Sequence, residues 1–286
     1  MQEQLYNILS ASIQFCHEFE EKYYTFLKKA GFKQRIRKSK IELAELLTLQ
    51  IWFHFSGYTN FKRYYNGYVR RHLSNHFFLV SYSQINKMIN EVPFLLDLFL
   101  KSRLDRTQKT YFIDATSLAV CHPIRAKKNK VFPKEASLGY STINGYFFGF
   151  KLHLIINHRG EIANYALSSA KHHDSKFMVQ LSEGLEGKLC GDKAYISNSM
   201  RQKLAQQNLK VLTYVRKGMR YQNVFHGLEK YLMRKRNLVE SAFNKLKNVL
   251  QIQTNRSRSV CGFMAHCLAA LLAYTFDNKK PAITLP

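Results

Sequence analysis

Acid is scarce in this chain. Nineteen Asp and Glu stand against forty-four Lys and Arg over 286 residues, a formal charge of +25. Such a surplus repels itself unless a polyanion offsets it, so nucleic acid is the first partner to consider. A solvated basic surface that only keeps the protein soluble is the plainer alternative, and charge alone does not separate DNA from RNA. Cysteine is equally uninformative as a staple: Cys16, Cys121, Cys190, Cys261 and Cys267 are odd in number and include no CxxC pair. Neither a disulfide framework nor a zinc knuckle is suggested, and reduced, ordinary buried thiols are the expectation. No unbroken apolar run opens the chain, since Glu18, Glu20, Glu21, Lys22, Lys28 and Lys29 interrupt it. A signal peptide is therefore not expected, and the cytoplasm is the expected compartment. Val260–Phe276 is almost wholly apolar, yet it is short for a bilayer span and carries His266, so a buried terminal helix is expected and no membrane partner. No GxSxG turn surrounds Ser117 or Cys121, which argues against a covalent nucleophile.

What is present is enough apolar residue, 46% of the chain, to bury one large core or two modest ones. Apolar periodicity predicts helices through residues 1–105. Ser39 and Glu42 have capping-box spacing before IELAELLTLQIWF, and a second helical run over 83–100 is interrupted at Pro93. Two basic stretches flank the first run, KKAGFKQRIRKSK at 28–40 and the aromatic YTNFKRYYNGYVRRH at 58–72, and both can lie along phosphates. From Lys109 the pattern turns to short runs rich in Tyr, Phe, Ile and Val. It predicts strands at 110–120, 146–156 and 161–168, the last two joined across Asn157–Gly160, and further strands at 188–195 and 209–216. Helices are predicted at 174–185, 198–207 and, as one long element, 228–249. This order describes an α/β mixed sheet flanked by helices over 106–286, behind an all-helical module.

Three carboxylates stand out against this pattern. Asp114 interrupts the apolar strand YFIDATSL, and Asp192 lies in KLCGDKAY where another strand should end. Side chains at strand ends converge on ligands in open α/β sheets. Glu240, in RNLVESAFNKLK, sits on a helix whose Leu238, Val239, Phe243 and Leu246 would pack on the sheet. Taken singly, a strand-end Asp reads as a turn residue and a helical Glu as part of a solvated face. Taken together around one cleft, the three would repel one another without divalent cations, and hard ions such as magnesium favour such oxygen ligands along with substrate phosphates. Lys171, His172, His173 and Asp174 lack zinc-like spacing and read as a loop and a helix cap.

Asp114, Asp192 and Glu240, in that order on strand, strand and helix, resemble the DDE transposases of bacterial insertion sequences. Arg236, Glu240 and Lys247 match the R-x3-E-x6-K part of the signature that family carries around its glutamate; Met233 stands where the usual tyrosine would be, with Tyr231 two residues away. GYSTINGYFFGFKLHLIINHRGEI at 139–162 and GDKAYIS at 191–197 are similar to the insertion-sequence 982 family in particular. The resemblance implies a ribonuclease H-like fold and two magnesium ions, with manganese as a substitute, held by the three acids. It further implies Arg236 and Lys247 on DNA backbone, a homodimer on double-stranded DNA, and strand cleavage and transfer at the terminal inverted repeats. It covers about 110–276; residues 1–105 are expected, from their basic stretches, to bind the element ends, and the protein to work in the cytoplasm, at the nucleoid.

Two basic loops flank the acids: HPIRAKKNKVFPK at 122–134, with Lys127 and Lys128, and the stretch 216–236, with Arg216, Lys217 and Arg220. Both are expected to hold phosphates, solvated loops being the alternative. Besides a transposase, the sequence leaves open a catalytically retired relative that only binds DNA, and a ribonuclease H-like nuclease. A lost acid would favour the first of these and the absence of a basic N-terminal module the second; neither feature is present.

Overall fold

The computed structural model describes residues 2–31, 39–141, 145–193, 198–214 and 224–286. The chain divides into two compact units, Met1–Arg103 with Leu246–Asp277, and Leu104–Lys245 with Asn278–Pro286.

The first unit is helical. α1 (Gln2–Lys29) buries a stripe of Leu5, Ile8, Phe15, Cys16, Tyr23 and Leu27, the spacing of one helix face. Its Phe15 stacks on Phe99 of α6 (Pro93–Ser102) with ring centroids 4.5 Å apart. α2 (Leu43–Phe53) begins one turn later than the Ser39 and Glu42 spacing predicts. Glu42 is the N-cap, and it exchanges capping hydrogen bonds with Glu45. Ile41 explains the shift, because at 1% exposure it is held in the core ahead of the first turn, which leaves Glu42 at the boundary. α3 (Phe61–Arg63) runs through a wide π-type turn at Tyr64–Val69 into α4 (Arg70–His72).

Here the expected phosphate contacts of 58–72 divide. Tyr64 and Tyr65 are fully buried, their hydroxyls donating to the carbonyls of Leu49 and Val80. The aromatic half of that stretch is core, while Lys62, Arg63 and Arg71 face solvent. Of the other stretch, residues 32–38 lie outside the described residues. α5 (Tyr82–Ile89) and α6 confirm the break near Pro93. α11 (Val260–Phe276), capped by Ser259, packs against α2, α5 and α6. It was expected within the 106–286 domain, but a helix apolar on every side must be enclosed, and the N-terminal helices enclose it. Among the described residues no helix is long and apolar enough to cross a membrane.

The second unit carries a mixed sheet of β1 (Thr110–Cys121), β2 (Ser137–Ser141), β3 (Gly145–Asn157), β4 (Ile162–Ser169), β5 (Gly187–Gly191) and β6 (Leu209–Leu212). β1, β3 and β4 form an antiparallel meander; β5 and β6 add in parallel on the other side of β1. β2 shares the outer edge of β3 with β4, pairing its N-terminal half. This is the ribonuclease H-like arrangement. β2 is not among the strands predicted from sequence; its alternation of Leu138 and Tyr140 with Ser137, Gly139 and Ser141 covers only five residues. One sheet face packs Tyr111, Ile113, Ile155 and Leu189 against Met178 and Leu181 of α7 (Met178–Leu181) and Leu204 of α8 (Asn198–Ala205). The predicted helix at 174–185 reduces to a 3-10 turn at Asp174–Phe177 and α7. α10 (Leu238–Asn244) packs against β1 and β3 and shares no residue with that cluster, so it covers the opposite face. The predicted long helix at 228–249 is broken at Lys235–Asn237 into α9 (Gly227–Arg234) and α10. Asn237, a weak helix former, sits at the restart, its carbonyl accepting from the Ser241 amide.

Candidate catalytic site

The site is built on the seam between β1 and β5. Parallel pairing runs from Thr110 opposite Lys188 to Ile113 opposite Gly191, where β5 ends. The next residue of each strand is Asp114 and Asp192. Asp192 itself lies just past the strand; were the register continued by one residue, it would stand beside Asp114 on the same sheet face, at about the 4.8 Å spacing of neighbouring strands. Asp114 shares that face with Phe112 and, across β3, with Leu154. Phe112 and Leu154 are fully buried and Asp114 is half-buried, so the apolar floor beneath the acid ends where the acid begins. Cys190, just before Asp192, is buried, and burial pushes its thiol up to about 12, leaving an ordinary protonated thiol.

Glu240 lies in the first turn of α10, on the side of the helix away from Leu238, Val239, Ala242 and Phe243, which are buried. Its side chain is exposed. The acids are thus placed on strand, strand end and covering helix. Among the described residues, however, no three of His, Cys, Asp and Glu stand together closely enough to hold a metal ion. What Asp192 meets instead is Arg236, in the turn before α10, with Nη1 2.6 Å from its Oδ1. The side chains are 32% and 49% exposed, so the pair is open to water and to exchange. Asp114, half-buried, and Asp192, exposed, are oxygen donors of the kind a hard divalent cation takes, since such an ion commonly uses one or two protein carboxylates and completes its shell from water and substrate.

The remaining predicted residues fall in three groups. Lys127 and Lys128 are exposed at the end of the 3-10 turn Pro123–Lys128, which packs on β2 and β3. Lys247 is half-buried in a π-type turn, Lys245–Val249, in the helical unit; burial lowers its pKa. Arg216, Lys217 and Arg220 lie outside the described residues. Met233, in the place of the usual tyrosine, is buried in α9, whereas the Tyr231 hydroxyl donates to the Thr284 carbonyl. Position 233 therefore serves packing. Sequence reasoning misses Arg236 as the partner of Asp192; the one signal available, a cation four residues before Glu240, points equally to DNA.

Comparison with known proteins gives two matches. A family profile described as the transposase DDE domain matches residues 104–260, more than half of the chain. A solved structure, the piggyBac transposase synaptic complex with hairpin DNA, aligns at 15% identity with a TM-score of 0.35, covering 61% of this chain and 41% of that one. No curated protein matches.

Proposed function

Because the chain belongs to the transposase DDE domain family, we propose that it is a DNA transposase that cuts and rejoins strands at the ends of an insertion sequence, with Asp114, Asp192 and Glu240 as its acids. The observation that supports the reading is the β1–β5 register, whose last pair, Ile113 and Gly191, stands one residue before Asp114 and Asp192. We place the element in the insertion-sequence 982 group on the segments 139–162 and 191–197, and the working form as a homodimer on its two ends.

Asp114 and Asp192 would hold divalent ions, magnesium or manganese, with Glu240 joining from α10. When bound, such ions supply activation of an attacking hydroxyl and charge stabilisation at the leaving oxygen of a phosphodiester. The chain's own contribution is geometric and electrostatic. β1 and β5 would set the spacing of the aspartates, and the buried stripe of α10 holds the helix on whose exposed side Glu240 sits. Arg236 neutralises Asp192 in the absence of substrate and is placed to pass to a phosphate when DNA arrives. Lys127, Lys128 and the basic stretch 216–236 would hold the strand by its backbone, and the helical unit would bind the element ends.

The test is cleavage of a supercoiled plasmid bearing the inverted repeats that flank the coding region, with magnesium or manganese. Native chain should cut at the repeat ends, and Asp114→Asn, Asp192→Asn and Glu240→Gln should each abolish the cuts. Folded native protein that binds the ends without cutting them would replace this reading with a retired DNA-binding relative. Cutting without regard to the repeats would point to a general nuclease.

A further inference from the structure

The sheet face that carries the two aspartates continues along β3 to an exposed pair of aromatic rings. Tyr140 of β2 and Tyr146 of β3 are direct cross-strand partners, 60% and 72% exposed, with centroids 5.2 Å apart at 67°. Leu138, 53% exposed, extends the patch toward the body of the sheet. Side chains alternate along β3, so Tyr146 lies on the same face as Leu154, the residue opposite Asp114. Eight residues separate Tyr146 from Leu154, about 26 Å of strand, or about eight base steps of DNA.

The ground around the pair is cationic. Between His122 and Tyr146 the sequence holds Arg125, Lys127, Lys128, Lys130 and Lys134 against the single acid Glu135. All five cations are exposed, and no ion pair among the described residues involves them. Arg125, Lys128 and Lys130 line a depression with Ile124, itself 82% exposed, in the turn that packs on β2 and β3. Exposed aromatic rings beside a cationic track are what a single strand of nucleic acid requires: ring faces for bases that have left the stack and ammonium or guanidinium groups for the backbone. A paired duplex offers base edges and phosphates but not base faces.

We infer that Tyr140 and Tyr146 form a stacking platform for an unpaired base of the DNA strand whose backbone runs over Arg125–Lys134 toward Asp114 and Asp192. The inference rests on the DNA-cutting reading above and adds to it a site for unpaired DNA. The platform would hold a melted stretch of strand about eight base steps from the acids, giving the protein higher affinity for frayed than for fully paired ends.

The test compares the full native chain with Tyr140→Ala/Tyr146→Ala and Tyr140→Phe/Tyr146→Phe, by fluorescence anisotropy with a short labelled oligothymidylate and with a duplex of the same length. Thermal melts confirm that each variant is folded, as expected for solvent-facing positions. The alanine pair should weaken oligothymidylate binding by about tenfold or more, leave duplex binding within about twofold, and be rescued by the phenylalanine pair. Equal oligothymidylate affinity in native and alanine proteins, with duplex binding intact, would remove the platform and leave the DNA reading standing. If that result came with a change in sedimentation, the patch would be a self-association surface instead. Native protein that binds neither probe would overturn both.

Discussion

Arg236 directs Nη1 to Oδ1 of Asp192 across 2.6 Å, so the acid that ends β5 already has a cation of the chain's own. Both side chains are partly open to solvent, and an ion pair of that kind contributes about 0–1 kcal/mol. The contact is therefore cheap to exchange for a phosphate or a metal ion.

Arg236→Gln should accordingly leave folding nearly intact, with a shift in Tm of less than about 3 °C. Its effect should appear on DNA: the slope of log affinity against log salt should flatten by about 1, the loss of one phosphate contact. An unchanged slope together with a large fall in Tm would make Arg236 a structural residue.

Asp192→Asn should separate cleavage from binding. The change removes one charged oxygen donor from an exposed position and leaves Arg236 free to hold a phosphate. Duplex end affinity should stay within about twofold or rise slightly, while cleavage disappears. A gel-shift titration beside the plasmid assay checks this; loss of binding in step with cleavage would count against Asp192 as a ligand.

The acids were legible because each disturbs a pattern: an Asp inside YFIDATSL and another closing KLCGDKAY have no packing role there. Their adjacency was not, since parallel pairing joins Ile113 to Gly191 across a long excursion, and local sequence carries no register. Tyr64 and Tyr65 show the opposite failure. Beside Lys62, Arg63 and Arg70 they read as a DNA-facing surface, yet burial and hydroxyl bonds to Leu49 and Val80 place them in the core. Tyr140, on the five-residue β2 that the sequence does not predict, and Tyr146, at the start of β3, are the exposed pair instead. α11 was legible as a buried helix, but a run apolar on all sides does not say which unit buries it.

Gly187 sets where β5 begins, and so the register on which Asp192 depends. Its φ is +103°, a conformation L side chains rarely adopt, and an added Cβ would lie 2.2 Å from the Lys109 carbonyl oxygen, a backbone atom that cannot swing aside. Gly187→Ala should cost about 2–3 kcal/mol, read as a lower urea midpoint at unchanged m-value. A neutral result would mean that the β1–β5 junction shifts freely, and the close pairing of the aspartates would lose its anchor.

Stability should fall on mild acidification because of two histidines in the helical unit. The rings of His54 and His266 meet with centroids 4.8 Å apart. His54 Nδ1 donates to the Leu250 carbonyl, and His266 Nε2 lies within 3.3 Å of the carbonyls of Gln251 and Ile252. Burial first, and then the neighbouring His266, hold His54 well below its ordinary value; burial lowers His266 to about 4. Both are therefore neutral when folded at neutral pH, and their unfolded counterparts protonate near pH 6.5. The sign follows: above pH 6.5 neither state binds the proton and the full stability is present, while between about pH 6.5 and 4 only the unfolded chain takes it up. In that window each histidine lowers stability by up to about 1.4 kcal/mol per pH unit. Urea unfolding at a series of pH values from 7.5 downward should show the loss, and His266→Gln should make the curve shallower. A stability curve that stays flat to pH 5 would mean that the pair is already charged, or solvated, in the folded state.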